Sequence, residues 1–273
     1  MNSKATELLF CTLEIADNAL IMGHRLSEWC GHGPILEQDI ALTNIALDHL
    51  GQARPLYQKA AELVNQMSKE EKEAAFKSPM LSRLFEKSKH ITEDDLAFLR
   101  DSWDFRNVLL VEQDNGDWAQ TVVRSFLFDT YNKLFFAQLI HTSEPTWRGV
   151  AEKALKEVTY HSRWSSEWMI RLGDGTEESH ERIQNAFQNL WPYSGELLMA
   201  SPSQKIHSDI YPSVDAKAYR QEINRILETA TLTLSEEDSW MQAGGKIGNH
   251  SEHLGYILAE MQYMQRAYLE MEW

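Results

Sequence analysis

Residues 4–29 read KATELLFCTLEIADNALIMGHRLSEW, and their spacing decides the fold. Leu8, Leu9, Thr12, Leu13, Ala16, Leu20 and Met22 fall near i, i+3, i+4 and i+7, the period of a helix that buries one face. Cys30-Gly31-His32-Gly33-Pro34 punctuates this helix. Pro34 suits the first turn of the next one, where its missing N–H costs nothing. A second helix is predicted over 35–65, with a kink expected at Pro55. Residues 66–102 are rich in charge and read as a mobile surface excursion, in which Thr92 to Asp95 gives an N-cap signal. Asp117 caps a third long helix over 118–141. Pro145 starts a fourth over 144–172, which ends at Gly173. Further helices are expected within 177–269, at about 177–200, 215–234 and 250–269, with a loop from Ser201 to Ser213. No strand pattern of convincing length appears.

Two tight helical hairpins joined by a long crossover form the connectivity of ferritin-like bundles. The expectation is therefore an all-α chain: one ferritin-like four-helix bundle spanning 1–273, with extra C-terminal helices. Low glycine and proline, 13 and 7 in 273 residues, agree with helix. Hydrophobic residues at 43% and charged residues at 25% exclude a disordered chain and a disulfide scaffold. Lys and Arg number 26 against 41 Asp and Glu, a net charge of −15, which argues against nucleic acid as a partner. Cys11 and Cys30 lie about 28 Å apart along a continuous helix, too far to pair, and read as buried thiols in a reducing compartment. Glu7, Glu14 and Asp17 interrupt the first apolar run, so it does not read as a signal peptide. No run is long and apolar enough for a membrane span, and a cytoplasmic location is expected.

Bundles of this kind often hold two metal ions, using one carboxylate from each of two helices and a Glu-x-x-His from each of the others. The only Glu-x-x-His is Glu177 to His180, an acid-rich helix start better read as a solvated first turn. Acids do stand mid-helix in apolar surroundings: Asp17, Asp48, Asp129 and Glu157, one in each long helix. Three residues after Asp48 stands Gly51, and three after Glu157 stands Tyr160, neither an imidazole. These four acids therefore read as degenerate di-iron stations, with Gly51 and Tyr160 at the lost histidine positions. His161, four after Glu157, and His24, seven after Asp17, read as hydrogen-bonded histidines rather than ligands. A buried polar network neutralised by Arg54, Lys133 or Lys156 is favoured over a metal centre. Nine tryptophans, among them Trp164 and Trp168 on one helix face, Trp240 and Trp273, read as core filling, with interface centres as the alternative. Gly244 to Gly248 lacks the features of a phosphate loop. Lys246 beside it keeps one weaker reading, contact with an acidic partner or a CoA phosphate. Nothing supports nucleophilic catalysis.

Several stretches resemble the PaaC-type subunits of bacterial phenylacetyl-CoA epoxidases, which are ring-1,2-oxygenating monooxygenases. They are Arg25 to His32, Ile45 to Asp48 with Leu50 to Arg54, Asn107 with Leu109 to Gln113 and Asn115-Gly116, Lys156-Glu157, and Tyr160-His161. Gly244-Gly245-Lys246, Glu252 to Gly255 and Leu258 to Tyr263 continue the series in order along the chain. The resemblance implies a ferritin-like fold that has lost its metal site. A paralogous partner protein carries the di-iron centre and epoxidises the ring of the CoA thioester, and a reductase supplies electrons from NADPH. The PaaC-like chain is then a non-catalytic structural subunit in phenylacetate catabolism that binds no cofactor itself, with no catalytic residues and no membrane partner. A homodimer formed in the partner's absence is compatible with that role. The competing readings are an active di-metal carboxylate oxygenase or oxidase using Asp17, Asp48, Asp129 and Glu157, and a free-standing helical ligand-binding protein.

Overall fold

The computed structural model describes residues 4–234, 241–268 and 271. Trp240, Trp273, residues 1–3 and the end of the last expected helix lie outside the described residues. The chain is all-helical: α1 (Lys4–Ser27), α2 (Leu36–Gln66), α3 (Lys69–Ala75), α4 (Pro79–Glu86), α5 (Glu93–Phe98), α6 (Leu109–Glu112), α7 (Trp118–Leu139), α8 (Pro145–Gly173), α9 (Glu177–Leu198), α10 (Pro202–Ile206), α11 (Ala216–Thr229), α12 (Glu252–Met261) and α13 (Tyr263–Ala267). Among the described residues there is no strand, and no helix is long and apolar enough to cross a membrane.

Side chains on α1, α2, α7 and α8 build the bundle. Asp17 meets Tyr57 while Gly23 meets Ala46 and His49, so α1 and α2 run antiparallel. Trp118 packs on Trp168 and Asp129 meets Ser165, which sets α7 against α8 in the same sense. Gln38 at one end of α2 accepts from the indoles of Trp164 and Trp168, and Lys59 at the other end pairs with Glu144 at 3.7 Å. Helices α2 and α8 are therefore also antiparallel. Helix α2 continues through Pro55, and the carbonyl its ring would crowd belongs to Gly51, which has no side chain to add to the crowding. Thr92 and Asp117 cap α5 and α7 as their sequence signals suggest.

The crossover from α2 to α7, the expected surface excursion, anchors to the bundle through a few apolar side chains. Phe76, Leu81, Phe85, Ile91 and Leu96 are buried against the bundle. The Asp104 carboxylate gathers the backbone N–H groups of Lys77 and Ser78 at 2.9 and 2.8 Å, together with the Ser78 hydroxyl. The charged residues cover its outside, while isolated apolar side chains between them form its inside.

The C-terminal helices also lock onto the bundle through buried acids. Glu196, near the end of α9, accepts from Leu109 N at 2.8 Å, Gly244 N at 2.8 Å and Lys246 N at 3.3 Å. The Lys246 ammonium donates to the last carbonyls of that helix, Leu197 O and Met199 O. Lys246 is thus spent inside the chain, which corrects the reading of it as a contact for an acidic partner or a CoA phosphate. Gly245 permits the arrangement, since a Cβ there would stand 2.1 Å from Asn107 O. The loop expected from Ser201 to Ser213 contains α10, whose cap residue Ser201 and whose Gln204 donate to Glu14 on α1 at 2.6 and 2.5 Å.

Burial pushes the Glu14 carboxyl up to about 7, outweighing Lys246 and its hydrogen bonds. An unfolded Glu titrates near 4.3, so this group stabilises the fold below about pH 4 and loses that contribution as pH rises through about 7. Glu14→Gln keeps the shape and cannot ionise. Its stability relative to the wild type should be higher at about pH 8 than at about pH 5, as read from urea unfolding.

Candidate functional site

The four mid-helix acids do not share a site. Asp17 is fully buried, and all its oxygen capacity is taken. Arg100 reaches across from the crossover and places Nη2 at 2.5 Å from Oδ1 and Nη1 at 3.0 Å from Oδ2. The Tyr57 hydroxyl donates to Oδ1 at 2.5 Å and Arg106 N donates to Oδ2 at 2.8 Å. Arg100 is itself sandwiched, its guanidinium 4.1 Å from the Phe105 ring centroid and 5.5 Å from that of Tyr57. Burial works against the Arg100 charge, but Asp17, Tyr57 and Asp104 around it hold the group firmly protonated.

Glu157 sits nearer the bundle rim, accepting from Gln52 Nε2 at 2.9 Å and pairing with Lys153 at 3.2 Å. Asp48 is partly exposed and accepts from His161 Nε2 at 3.1 Å. Only Asp129 is buried without a cation. Ser165 Oγ donates to its Oδ2 at 3.0 Å, Oδ1 has no partner, and burial raises the carboxyl to about 8. Among the described residues the counter-charges for these acids are Arg100 and Lys153, with His161 a hydrogen-bond donor to Asp48, where Arg54, Lys133 and Lys156 were expected; Arg54 instead lies 3.6 Å from Glu93.

The expected histidine positions face the wrong way. Gly51 and Tyr160 are exposed, on the outer sides of α2 and α8. The inward positions of α2 follow Leu42, Ile45, Ala46, His49, Gln52, Ala53 and Leu56, so His49 points to the core and Asp48 is turned to the edge. On α8 the buried series Ala154, Val158, His161, Ser165 puts His161 inside. His49 and His161 are fully buried with ring centroids 5.2 Å apart, and burial keeps both imidazoles neutral. His49 does not stand at the third residue after an acid, so the metal motif passes over it; its place in the apolar period of α2 was the signal. His49, Asp129 and His161 together offer ligand atoms within 4.8 Å of one another. Asp17, Asp48 and Glu157 are outside that group, and this donor set does not fit a pair of bridged ions, which draws on four carboxylates and two imidazoles.

The sole Glu-x-x-His opens α9, where His180 Nδ1 lies 2.7 Å from Gly173 O and closes the end of α8. His24 is half-buried near the end of α1, and burial lowers its pKa. The cavity inside the bundle beside Gln52, Phe128 and Asn132 measures about 20 Å³, room for about one water molecule.

A family model described as phenylacetic acid catabolic protein matches residues 1–273. The chain belongs to this family. It is also 38% identical over 271 residues to the C subunit of the 1,2-phenylacetyl-CoA epoxidase of Escherichia coli (strain K12), covering 98% of this chain and 99% of that one. Two of the segments that carry the resemblance, around Arg25 and from Asn107 to Asn115, meet in one polar knot around the buried Glu112. Arg25 donates to Glu112 O at 2.8 Å and pairs with Glu28, which accepts from Asn115 at 2.7 Å. The Glu112 carboxylate takes Asn107 Nδ2 at 2.9 Å, His250 Nδ1 at 2.8 Å and Ser251 N at 2.6 Å. These contacts bind α1, the crossover and the start of α12 to each other.

Arg100→Met would leave Asp17 as a buried charge without its counter-ion, at a cost of about 3–5 kcal/mol. Adding Asp17→Leu to that variant should recover most of the loss. Guanidinium chloride unfolding of the two variants and the wild type reads both outcomes.

Proposed function

We propose that this chain is a non-catalytic structural subunit of a multicomponent phenylacetyl-CoA ring-epoxidising monooxygenase, working in phenylacetate catabolism in the cytoplasm. Its partner is a di-iron catalytic subunit of the same fold, which activates O2 while a reductase provides electrons. The observation that carries this reading is the Arg100 guanidinium on Asp17. The first helix of a dinuclear bundle supplies a carboxylate ligand, and here a fixed positive charge stands where an ion would have to approach.

Two further observations support it. The bundle interior holds a cavity of about 20 Å³ beside Phe128, too small for the ring of an aromatic thioester. The surface carries unpaired apolar side chains of the kind that interfaces between proteins use: Leu36, Ile40 and Leu47 on α2, and Tyr256, Tyr263 and Met264 on α12 and α13. Association of the chain with itself when alone is compatible with the same faces.

Co-expression with a catalytic-type subunit of an epoxidase of this family should yield a stable complex. The isolated chain, incubated with Fe2+ and O2, should neither hold a bridged iron pair nor epoxidise phenylacetyl-CoA. Two irons per chain with turnover by the chain alone would establish the competing reading, a di-metal oxygenase in its own right. Failure to associate with the catalytic subunit would remove the structural role.

A further inference from the structure

The buried group of His49, Asp129 and His161 has no use in a purely bracing role. Each member lies on a different long helix, α2, α7 and α8, and each is at most 1% exposed. Four of their polar atoms have no hydrogen-bond partner: both ring nitrogens of His49, Nδ1 of His161 and Oδ1 of Asp129. Leaving a buried donor or acceptor unsatisfied costs about 1–3 kcal/mol each, so such a group calls for an occupant.

The remaining atoms are arranged as a metal's outer shell arranges its ligands. Asp48 Oδ2 accepts from His161 Nε2 at 3.1 Å, which fixes the hydrogen on Nε2 and turns the lone pair of Nδ1 inward. Ser165 holds Oδ2 of Asp129 at 3.0 Å and leaves Oδ1 free. Each of the three residues has a ligand atom within 4.8 Å of the others', and each has at least one side-chain atom without a hydrogen bond. Ligands at about 2.0–2.2 Å from a tetrahedral ion stand roughly 3.3–3.6 Å apart, so binding would draw these side chains inward. The charges also balance. A divalent ion is met by the Asp129 carboxylate among its ligands and by Asp48 behind His161.

We propose that His49, Asp129 and His161 bind one divalent transition-metal ion of borderline softness, with Zn2+ the best match, and so pin α2, α7 and α8 together. Two imidazoles and one carboxylate are a Zn2+ donor set, with a water completing the fourth position. Binding replaces the proton on Asp129 and satisfies an oxygen or nitrogen on each of the three helices at once. Asp48 is a positioning residue that acts through His161. The proposal goes beyond the structural-subunit reading and does not depend on it, since a single ion held here needs neither a catalytic partner nor a bridged iron pair.

The full chain, stripped of metal with a chelator, is titrated with Co2+ as a spectroscopic probe and then with Zn2+. The expected result is saturation at one ion per chain, with visible Co2+ bands that Zn2+ abolishes and a rise in Tm on adding Zn2+. Asp129→Asn keeps the side-chain shape and removes a buried ionisable group, so it should fold; it should lose the bands and the Tm rise. His49→Gln should do the same, with circular dichroism confirming its helices. Asp48→Asn should weaken binding by about 10–100-fold, and Glu157→Gln should leave it unchanged. No saturable binding, or binding unaltered in both Asp129→Asn and His49→Gln, would overturn the proposal. Two ions per chain, lost in Glu157→Gln, would instead point to the dinuclear reading and overturn both this inference and the structural role.

Discussion

A carboxylate and a guanidinium, both removed from water, meet between Asp17 on α1 and Arg100 in the crossover. Taking two such charges into a protein interior costs several kcal/mol per ion, and the cost is recovered only when geometry is good and the remaining hydrogen-bonding capacity is filled. Here it is filled: Tyr57 and Arg106 N complete Asp17, while Leu96 O, Asp104 O and two aromatic faces complete Arg100. The pair therefore fixes the crossover on the bundle, and the crossover fixes Asp104, the turn around Ser78 and the start of α6. Removing one partner would loosen all of these together.

The same pair explains the chemistry of the interior. A four-helix bundle offers one radial position per helix at a given depth, and what occupies it decides whether the centre is a metal cradle or a packed core. On α1 that position is neutralised by Arg100. On α8 Glu157 sits at the rim, where Lys153 and Gln52 engage it. On α2 the inward place is taken by His49. On α7 Asp129 has no cation beside it and faces two imidazoles. Among the described residues the interior is a packed core with one small polar centre, His49, Asp129 and His161.

The long helices were legible because their apolar residues repeat on one face, and the caps at Thr92 and Asp117 were legible because a capping side chain acts on backbone two or three residues away. The partner of Asp17 was not legible. Arg100 lies 83 residues along the chain, and nothing local marks it. The crossover looked like a solvated excursion because its apolar residues are single and charges surround them; only tertiary contact shows that Phe76 and Phe85 point inward. His49 was readable in principle from the inward series of α2, but a search keyed to Glu-x-x-His starts from the acid, and Asp48 is one step round the helix from the core. Lys246 next to glycines suggested an outside anion, whereas the anion it lies beside, Glu196, belongs to the same chain.

On the proposed reading the acids of the bundle hold the protein together and form no dinuclear oxygen-activating centre. Crystals of the isolated chain soaked in Fe2+ under argon, with anomalous data collected on both sides of the iron edge, test this directly. The expected result is no anomalous peak within bonding distance of Asp17 or Glu157, an intact Asp17–Arg100 pair, and at most one peak, between His49, Asp129 and His161. Two peaks bridged by Asp17, Asp129 or Glu157, with Arg100 displaced, would contradict it.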